Sequence, residues 1–222
     1  MRYYDIHTHH PALHPDDIAI ISIDIRKTFI PCGLQHSVGV HPWYIDYNDT
    51  KTTDRYYEKV REYALHPAVV AIGETGLDKL TAKSTNDYKF QQALFASHAF
   101  LAEEVKKPLI IHCVKAWNDL LRIHQCVKPS IPWIVHGFRG KKMLAIQLLN
   151  AGFYLSFGPR FNTEALKETW VKCRLLLETD DNNITIRDVY QQVADELSIS
   201  VQELSVKIND LTKNVGIPVL NQ

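Results

Sequence analysis

Asp5, His7 and His9 occupy alternate positions in the run Asp5-Ile6-His7-Thr8-His9, directly after the apolar-leaning start Met1-Arg2-Tyr3-Tyr4. Side chains alternate across a strand with a period of two, so on a strand these three point one way and Ile6 and Thr8 the other. Two imidazoles so spaced can grip one metal ion from neighbouring directions. A carboxylate two residues back can hydrogen-bond a ligand's second ring nitrogen or orient the backbone. Alone, the pair reads equally well as a chance polar cluster. Later sites in the chain decide against that.

His9, His41, Glu74, His112, His136 and Asp180 each sit at or just past the end of a different short apolar run. In a parallel barrel the C-terminal strand ends form one face, where residues far apart in sequence converge. Four imidazoles (His7, His9, His112, His136) and two carboxylates (Glu74, Asp180) gathered there would repel or be desolvated at heavy cost unless cations bound them. They are too many for one tetrahedral zinc site. They suit two divalent ions ~3.5–4 Å apart that share a bridging carboxylate and an activated water. The chemistry to expect is metal-dependent hydrolysis.

The elements that would position these residues follow from periodicity. The spacing predicts strands ending at His9 and over Ala19–Ile25, Ser37–Trp43, Val69–Glu74, Pro108–His112, Trp133–His136, Phe153–Phe157 and Arg174–Asp180. Helices are predicted over Asp54–Tyr63, Asn86–Lys106, Ala116–Ile123, Lys142–Asn150 and Glu164–Val171, with almost none fitting before the third strand. Thr185 to Asp188 and Ser200 to Glu203 match the capping-box pattern and announce two tail helices. Near-continuous apolar strands alternating with helices indicate a parallel sheet covered by helices. Eight such units favour a single compact (β/α)8 barrel of the TIM type over residues 1–222, its early crossovers trimmed. No glycine-rich phosphate loop follows the first strand, which speaks against a nucleotide-binding open sheet.

Composition narrows the rest. Twenty-five basic residues balance 25 acidic ones, so any nucleic-acid contact must come from a local patch. Cys32, Cys113, Cys126 and Cys173 show no CxxC spacing and suit free thiols in a reducing cytoplasm. The N-terminus carries no signal pattern, and no apolar run approaches the ~20 residues of a membrane helix. No protein partner is evident.

The sequence resembles the TatD family of metal-dependent hydrolases, within the amidohydrolase-like barrels. Beside the first histidine pair, the motifs that carry the likeness are Val38-Gly39-Val40-His41-Pro42, Gly73-Glu74-Thr75-Gly76-Leu77-Asp78 and Pro108-Leu109-Ile110-Ile111-His112-Cys113. Val135-His136-Gly137-Phe138-Arg139-Gly140 and Leu177-Glu178-Thr179-Asp180 complete them. The resemblance implies that His7, His9, Glu74 and Asp180 hold one metal. Glu74, His112 and His136 hold the other, with Glu74 bridging. It further implies phosphodiester hydrolysis, as a deoxyribonuclease acting on DNA ends or short oligonucleotides. Asp180 is then the group that orients the water and takes its proton. Imidazole-rich ligation favours zinc or manganese, while the family implies magnesium.

The substrate side departs from the family. After the histidine of the second metal, members commonly carry an Arg-Asp pair, where this chain has Val114 and Lys115. Lys115 supplies a point charge in place of a bidentate fork. Arg139 and Arg160, just beyond strand ends, are further phosphate candidates, and His41 is a candidate substrate contact. Asp181-Asn182-Asn183 replaces a longer loop. Asp5 and Glu178 are expected as carboxylates behind the ligands, and Asp78 fits loop capping as well as chemistry. Trp43 and Trp117 are candidates to stack on a base or simply to pack, and His98 reads as a satisfied core histidine. The missing arginine leaves an alternative, hydrolysis of C–N or carboxylic ester bonds in a small molecule. A metal-binding scaffold without activity is a third reading, which the intact ligand set opposes.

Overall fold

The structure is a computed structural model of the 222-residue chain and describes residues 2–28 and 33–218. Cys32 lies outside the described residues. Strands β1 to β8 follow one another in sequence order. The pairs β1–β2, β3–β4, β4–β5, β6–β7 and β7–β8 are all parallel. The chain forms two compact units, one from Met1–Ile21 with Ile134–Gln222 and one from Ser22–Trp133.

The central unit carries β3 (Gln35–Val38), α1 (Thr50–Ala64), β4 (Val69–Asp78), α2 (Thr85–Val105), β5 (Leu109–Val114) and α3 (Trp117–Val127). All ten residues of β4 are buried, as a strand covered on both faces requires. Helix α2 begins where Ser84 accepts a hydrogen bond from the Asp87 N–H, and ends where Lys106 turns left-handed. Phe95 on α2 meets Trp133 edge-on at 5.4 Å, both of them buried.

The unit that joins the two ends of the chain carries β1 (Tyr4–Thr8), β2 (Ile18–Ser22) and β6 (Trp133–Val135), the last residue of β2 and the first of β6 falling in the central unit. It continues with α4 (Lys142–Asn150), β7 (Tyr154–Phe157), α5 (Thr163–Val171), β8 (Leu175–Leu177), α6 (Ile186–Leu197) and α7 (Val201–Asn214). Thr185 and Asp188 form a reciprocal capping box at the start of α6, and Ser200 caps α7 through the Glu203 N–H. Helix α6 is tied back to the first two strands. Tyr190 Oη accepts from the Tyr4 N–H at 3.1 Å, and Arg187 pairs with the buried Asp17 through contacts of 3.0–3.1 Å. An isolated bridge between Thr8 and Asp180 joins the end of β1 to the segment after β8.

The second, third and last strands stop earlier than the sequence reading has them, each for a local reason, while β4 runs past Glu74 to Asp78. The second strand stops at Ser22 because Asp24 accepts from the Arg26 backbone N–H and guanidinium, which turns the chain. The third stops at Val38, since Pro42–Tyr44 is a one-turn 3-10 helix with proline at its start and His41 as its cap. The last ends at Leu177, and Asp180 adopts the left-handed region at φ 55°. As expected, residues 9–17 join β1 to β2 without a helix, and none occurs among the described residues between β2 and β3. Among the described residues no helix is long and apolar enough to cross a membrane. Cys113, Cys126 and Cys173 are free thiols.

Candidate metal centre

In the unit that joins the chain ends, β1 delivers His7 and His9, and the backbone around them holds Asp180. The Asp180 N–H donates to the His7 carbonyl at 3.0 Å, and the His9 N–H donates to the Asp180 carbonyl at 3.3 Å. Asp180 Oδ1 then lies 3.6 Å from Nε2 of both His7 and His9. His136, one residue past β6, stacks its ring 4.2 Å from that of His7. Donor atoms of His7, His136 and Asp180 fall within 4.8 Å of one another. Burial works to raise the Asp180 pKa, but hydrogen bonds from the His7 and His9 imidazoles and the charge of His136 outweigh it, so the carboxyl is held well below its ordinary range.

Two carboxylates stand behind this set. Asp5, expected on the same strand face as His7, turns to Thr179, where an irregularity in register separates Asp5 from Thr8. Its oxygens accept from the Thr179 N–H at 3.0 Å and the Thr179 hydroxyl at 2.5 Å. Through these bonds it orients the Asp180 segment. Burial pushes the Asp5 carboxyl up to about 7, partly offset by the Thr179 bonds. Glu178 is fully buried; Oε1 accepts from the Gly137 N–H at 2.6 Å and lies 3.4 Å from His136 Nδ1. It braces the turn that carries His136.

In the central unit, Glu74 on β4 is 7% exposed and lies between two imidazoles. His41 Nε2 and His112 Nδ1 each stand 3.1 Å from Glu74 Oε1. His41 Nδ1 accepts from the Trp43 N–H at 3.1 Å, which leaves the His41 proton on Nε2, directed at Glu74. Asp78, at the end of β4, places Oδ2 3.4 Å from His112 Nε2. Donor atoms of His41, Glu74 and His112 lie within 4.8 Å of one another. Close packing fixes this set, since a Cβ on Gly39 would stand 2.6 Å from the Glu74 carbonyl oxygen.

The sequence reading has Glu74 and His112 as partners of His136, and His41 as a contact for substrate or for a carboxylate beside the ligands. Within each unit, His136 stands with His7 and Asp180, and His41 stands against Glu74. Of the cationic candidates, Lys115 is exposed in a left-handed conformation just past β5, and Arg139 is exposed. Arg160 is exposed and reaches Asn182 at 3.3 Å. The Asp181–Asn183 run lines a cavity of about 320 Å3 together with Asp5, Thr8 and His10. Cys113, beside His112, is packed, and burial pushes its thiol up to about 12.

Two supporting residues, Thr179 and Gln91, carried no clear signal in the sequence, while His98 is the satisfied core histidine expected. Thr179 holds Asp5, and its hydroxyl has no periodic signature. Gln91, fully buried on α2, accepts from the Asp78 N–H at 2.7 Å. His98, read as a core histidine, is fully buried and more than packing: Nε2 accepts from the Val40 N–H at 3.0 Å while Nδ1 donates to the Leu94 carbonyl at 2.8 Å. It thereby anchors the segment that ends in His41.

The chain is similar to known proteins in both sequence and fold. The family model described as TatD related DNase matches residues 23–215. An uncharacterized metal-dependent hydrolase of Buchnera aphidicola is 36% identical over 156 residues, 65% of this chain and 54% of that protein. The uncharacterized metal-dependent hydrolase YcfH of Escherichia coli is 32% identical over 194 residues, 78% of this chain and 70% of its own length. A protein of Musicola paradisiaca named 3'-5' ssDNA/RNA exonuclease TatD is 29% identical over 69% of this chain and 59% of that protein. The chain spans less than two thirds of the length of several curated relatives that it matches, between 54% and 62%. The crystal structure of YJJV, a TatD homologue from Escherichia coli, superposes with a TM-score of 0.77 at 18% identity, covering 97% of this chain and 98% of the other. That likeness establishes the fold as the (β/α)8 barrel expected from the strand–helix alternation. This chain belongs to the TatD related DNase family.

Proposed function

We propose that His7, His9, Glu74, His112, His136 and Asp180 together hold two divalent metal ions, and that the whole chain acts as one catalytic domain hydrolysing phosphodiesters. The substrate class is DNA ends or short oligonucleotides. The observation that carries this reading is the gathering of imidazoles and a carboxylate in each unit, His7, His136 and Asp180 in one and His41, Glu74 and His112 in the other. The donors fit the group: imidazole nitrogens suit zinc or manganese, and the carboxylates also serve magnesium. Family membership supports the hydrolase chemistry, and the exonuclease name of one relative supports the nucleic-acid substrate.

When bound, the ions supply positive charge for the phosphate oxygens and make a water acidic enough to attack near neutral pH. The chain's own residues do the rest. Asp180, kept ionised by the imidazoles beside it, orients the attacking water and accepts its proton. Asp5 holds Asp180 in place through Thr179, and His41 holds the Glu74 carboxylate, which would be a ligand of the ions. Lys115, Arg139 and Arg160 are exposed cations suited to the phosphate backbone of the substrate.

The test is metal analysis of untreated protein, followed by assay with zinc, manganese and magnesium against a simple phosphodiester, single-stranded DNA, an amide and a lactone. Phosphodiester cleavage with about two ions per chain is expected. Val114 and Lys115, where the family commonly has Arg-Asp, favour a second reading, hydrolysis of C–N or carboxylic ester bonds in a small molecule. Turnover of the amide or lactone with no phosphodiester cleavage under any metal would establish that reading in place of the first.

A further inference from the structure

Trp43 is 68% exposed, while His41, two residues before it, is 7% exposed and Pro42 is buried. An exposed apolar residue is unremarkable by itself. This one is different because its ring is held by its polar edge. The indole N–H donates to Asp78 Oδ2 at 3.0 Å. Asp78 is 3% exposed and is itself fixed, through Oδ1 by the Leu80 N–H at 2.8 Å and through its own N–H by Gln91. The Trp43 main-chain N–H is bound as well, to His41 Nδ1. The same Asp78 oxygen lies 3.4 Å from His112 Nε2, so one buried carboxylate ties the indole to the candidate metal ligand. The His41 ring meets the indole edge-on at 5.1 Å, and the His112 ring lies 6.2 Å away.

The indole is therefore immobilised beside Glu74, His41 and His112 with its only hydrogen-bonding atom already used. What it has left to offer is an exposed aromatic surface. A flat, preset aromatic surface with no free donor selects a planar ring by stacking and dispersion. Resting on the phosphodiesterase reading, the geometry points to Trp43 as the platform on which the nucleobase adjoining the scissile phosphate stacks. Every base has a π-face, so the platform is tolerant of base identity while requiring that a base be present. It also supplies affinity that does not depend on a guanidinium at the position of Val114.

The test compares a short single-stranded DNA with the same DNA abasic at the reacting end, using protein loaded with its working metal. Stacking worth ~1–3 kcal/mol corresponds to a kcat/KM about 5- to 150-fold higher for the base-bearing substrate. In Trp43→Leu that ratio falls towards one, chiefly through KM, and in Trp43→Phe most of it is kept. Equilibrium binding gives an independent readout. Deoxyadenosine monophosphate quenches tryptophan fluorescence in the native protein, and both the quench and the affinity drop in Trp43→Leu. Equal cleavage of base-bearing and abasic DNA by the native protein, or an unchanged ratio in Trp43→Leu, would overturn the platform and leave the phosphodiesterase reading standing. Failure to cleave either DNA with zinc, manganese or magnesium overturns the phosphodiesterase reading itself.

Discussion

Asp180 binds His7 twice: its backbone N–H donates to the His7 carbonyl at 3.0 Å, and its carboxylate Oδ1 lies 3.6 Å from His7 Nε2. The main-chain bond fixes where the side chain starts, and the left-handed φ of 55° fixes where it points. Asp and Asn visit that region at low cost among non-glycine residues. The position therefore carries a chemical requirement, for a carboxylate, and a separate conformational one.

Asp180→Asn separates the two. Asparagine keeps the backbone bonds to His7 and His9 and tolerates the left-handed conformation, so the far-ultraviolet circular dichroism spectrum is expected to match the native one. It cannot take a proton from water, and kcat on a phosphodiester falls by ~10²–10⁴. Asp180→Leu is expected to lose both activity and stability, because a γ-branched apolar chain is strained at this φ and faces two imidazoles. An Asn variant with more than a tenth of native kcat would remove Asp180 from proton transfer.

Thr179→Val tests the support behind that carboxylate. The Thr179 hydroxyl donates to Asp5 Oδ2, and Asp5 is 4% exposed, so valine leaves a buried oxygen without that donor. A loss of stability of about 1–3 kcal/mol follows, read from urea unfolding of metal-free protein. Zinc affinity drops as well, by ~10–100-fold, when a partner behind a ligand is removed. If calorimetry gave native zinc affinity in this variant, Asp5 and Thr179 would be holding the fold and not the metal site.

The alternation of strands and helices was legible because each strand is an apolar run and each helix an amphipathic one, and the histidines stood out because they fall at strand ends. The boundaries that were missed depend on contacts no local pattern carries. Asp180 leaves the extended conformation only because β1, far away in sequence, supplies a carbonyl and an N–H for it. The third strand was read through Trp43, yet His41 caps a turn there with its own ring nitrogen. Asp5 shares the strand parity of His7, and only the structure shows that the segment it orients is held through Thr179. Gln91 stood out in no pattern, and only the structure pairs it with the Asp78 backbone.

Gly39→Ala probes how tightly Glu74 is set. The added methyl meets the Glu74 carbonyl oxygen at 2.6 Å and the Gly73 Cα at 2.9 Å, both of them backbone atoms with nowhere to rotate. Overpacking of this kind costs ~1–3 kcal/mol. Because the displaced backbone carries the Glu74 carboxylate, kcat is expected to fall by ~10²-fold, the scale of a 1 Å misplacement. Thermal unfolding and kcat measured on one preparation check both parts. Full activity in a destabilised variant would mean that the Glu74 side chain is positioned independently of its backbone.

His98 gives the fold a defined acid sensitivity. Burial lowers its pKa from 6.5 to about 4, only partly countered by its bond to the Leu94 carbonyl. Its neutral form is the one that fits, with Nε2 accepting from Val40 and Nδ1 donating to Leu94. A base whose pKa is depressed on folding binds more protons when unfolded. Its contribution is therefore constant above pH 6.5, falls as pH drops towards 4, and levels off below. The loss across that window is on the order of 3 kcal/mol. His98→Gln should flatten this part of the stability profile of metal-free protein, measured by urea unfolding from pH 4 to 7, because glutamine does not titrate there. It should also be less stable at pH 7 by about 1–3 kcal/mol, since the Val40 N–H loses a well-placed acceptor. An unchanged slope between pH 4 and 6.5 in the variant would show that other groups, and not the clasp on the His41 segment, set the acid limit of the fold.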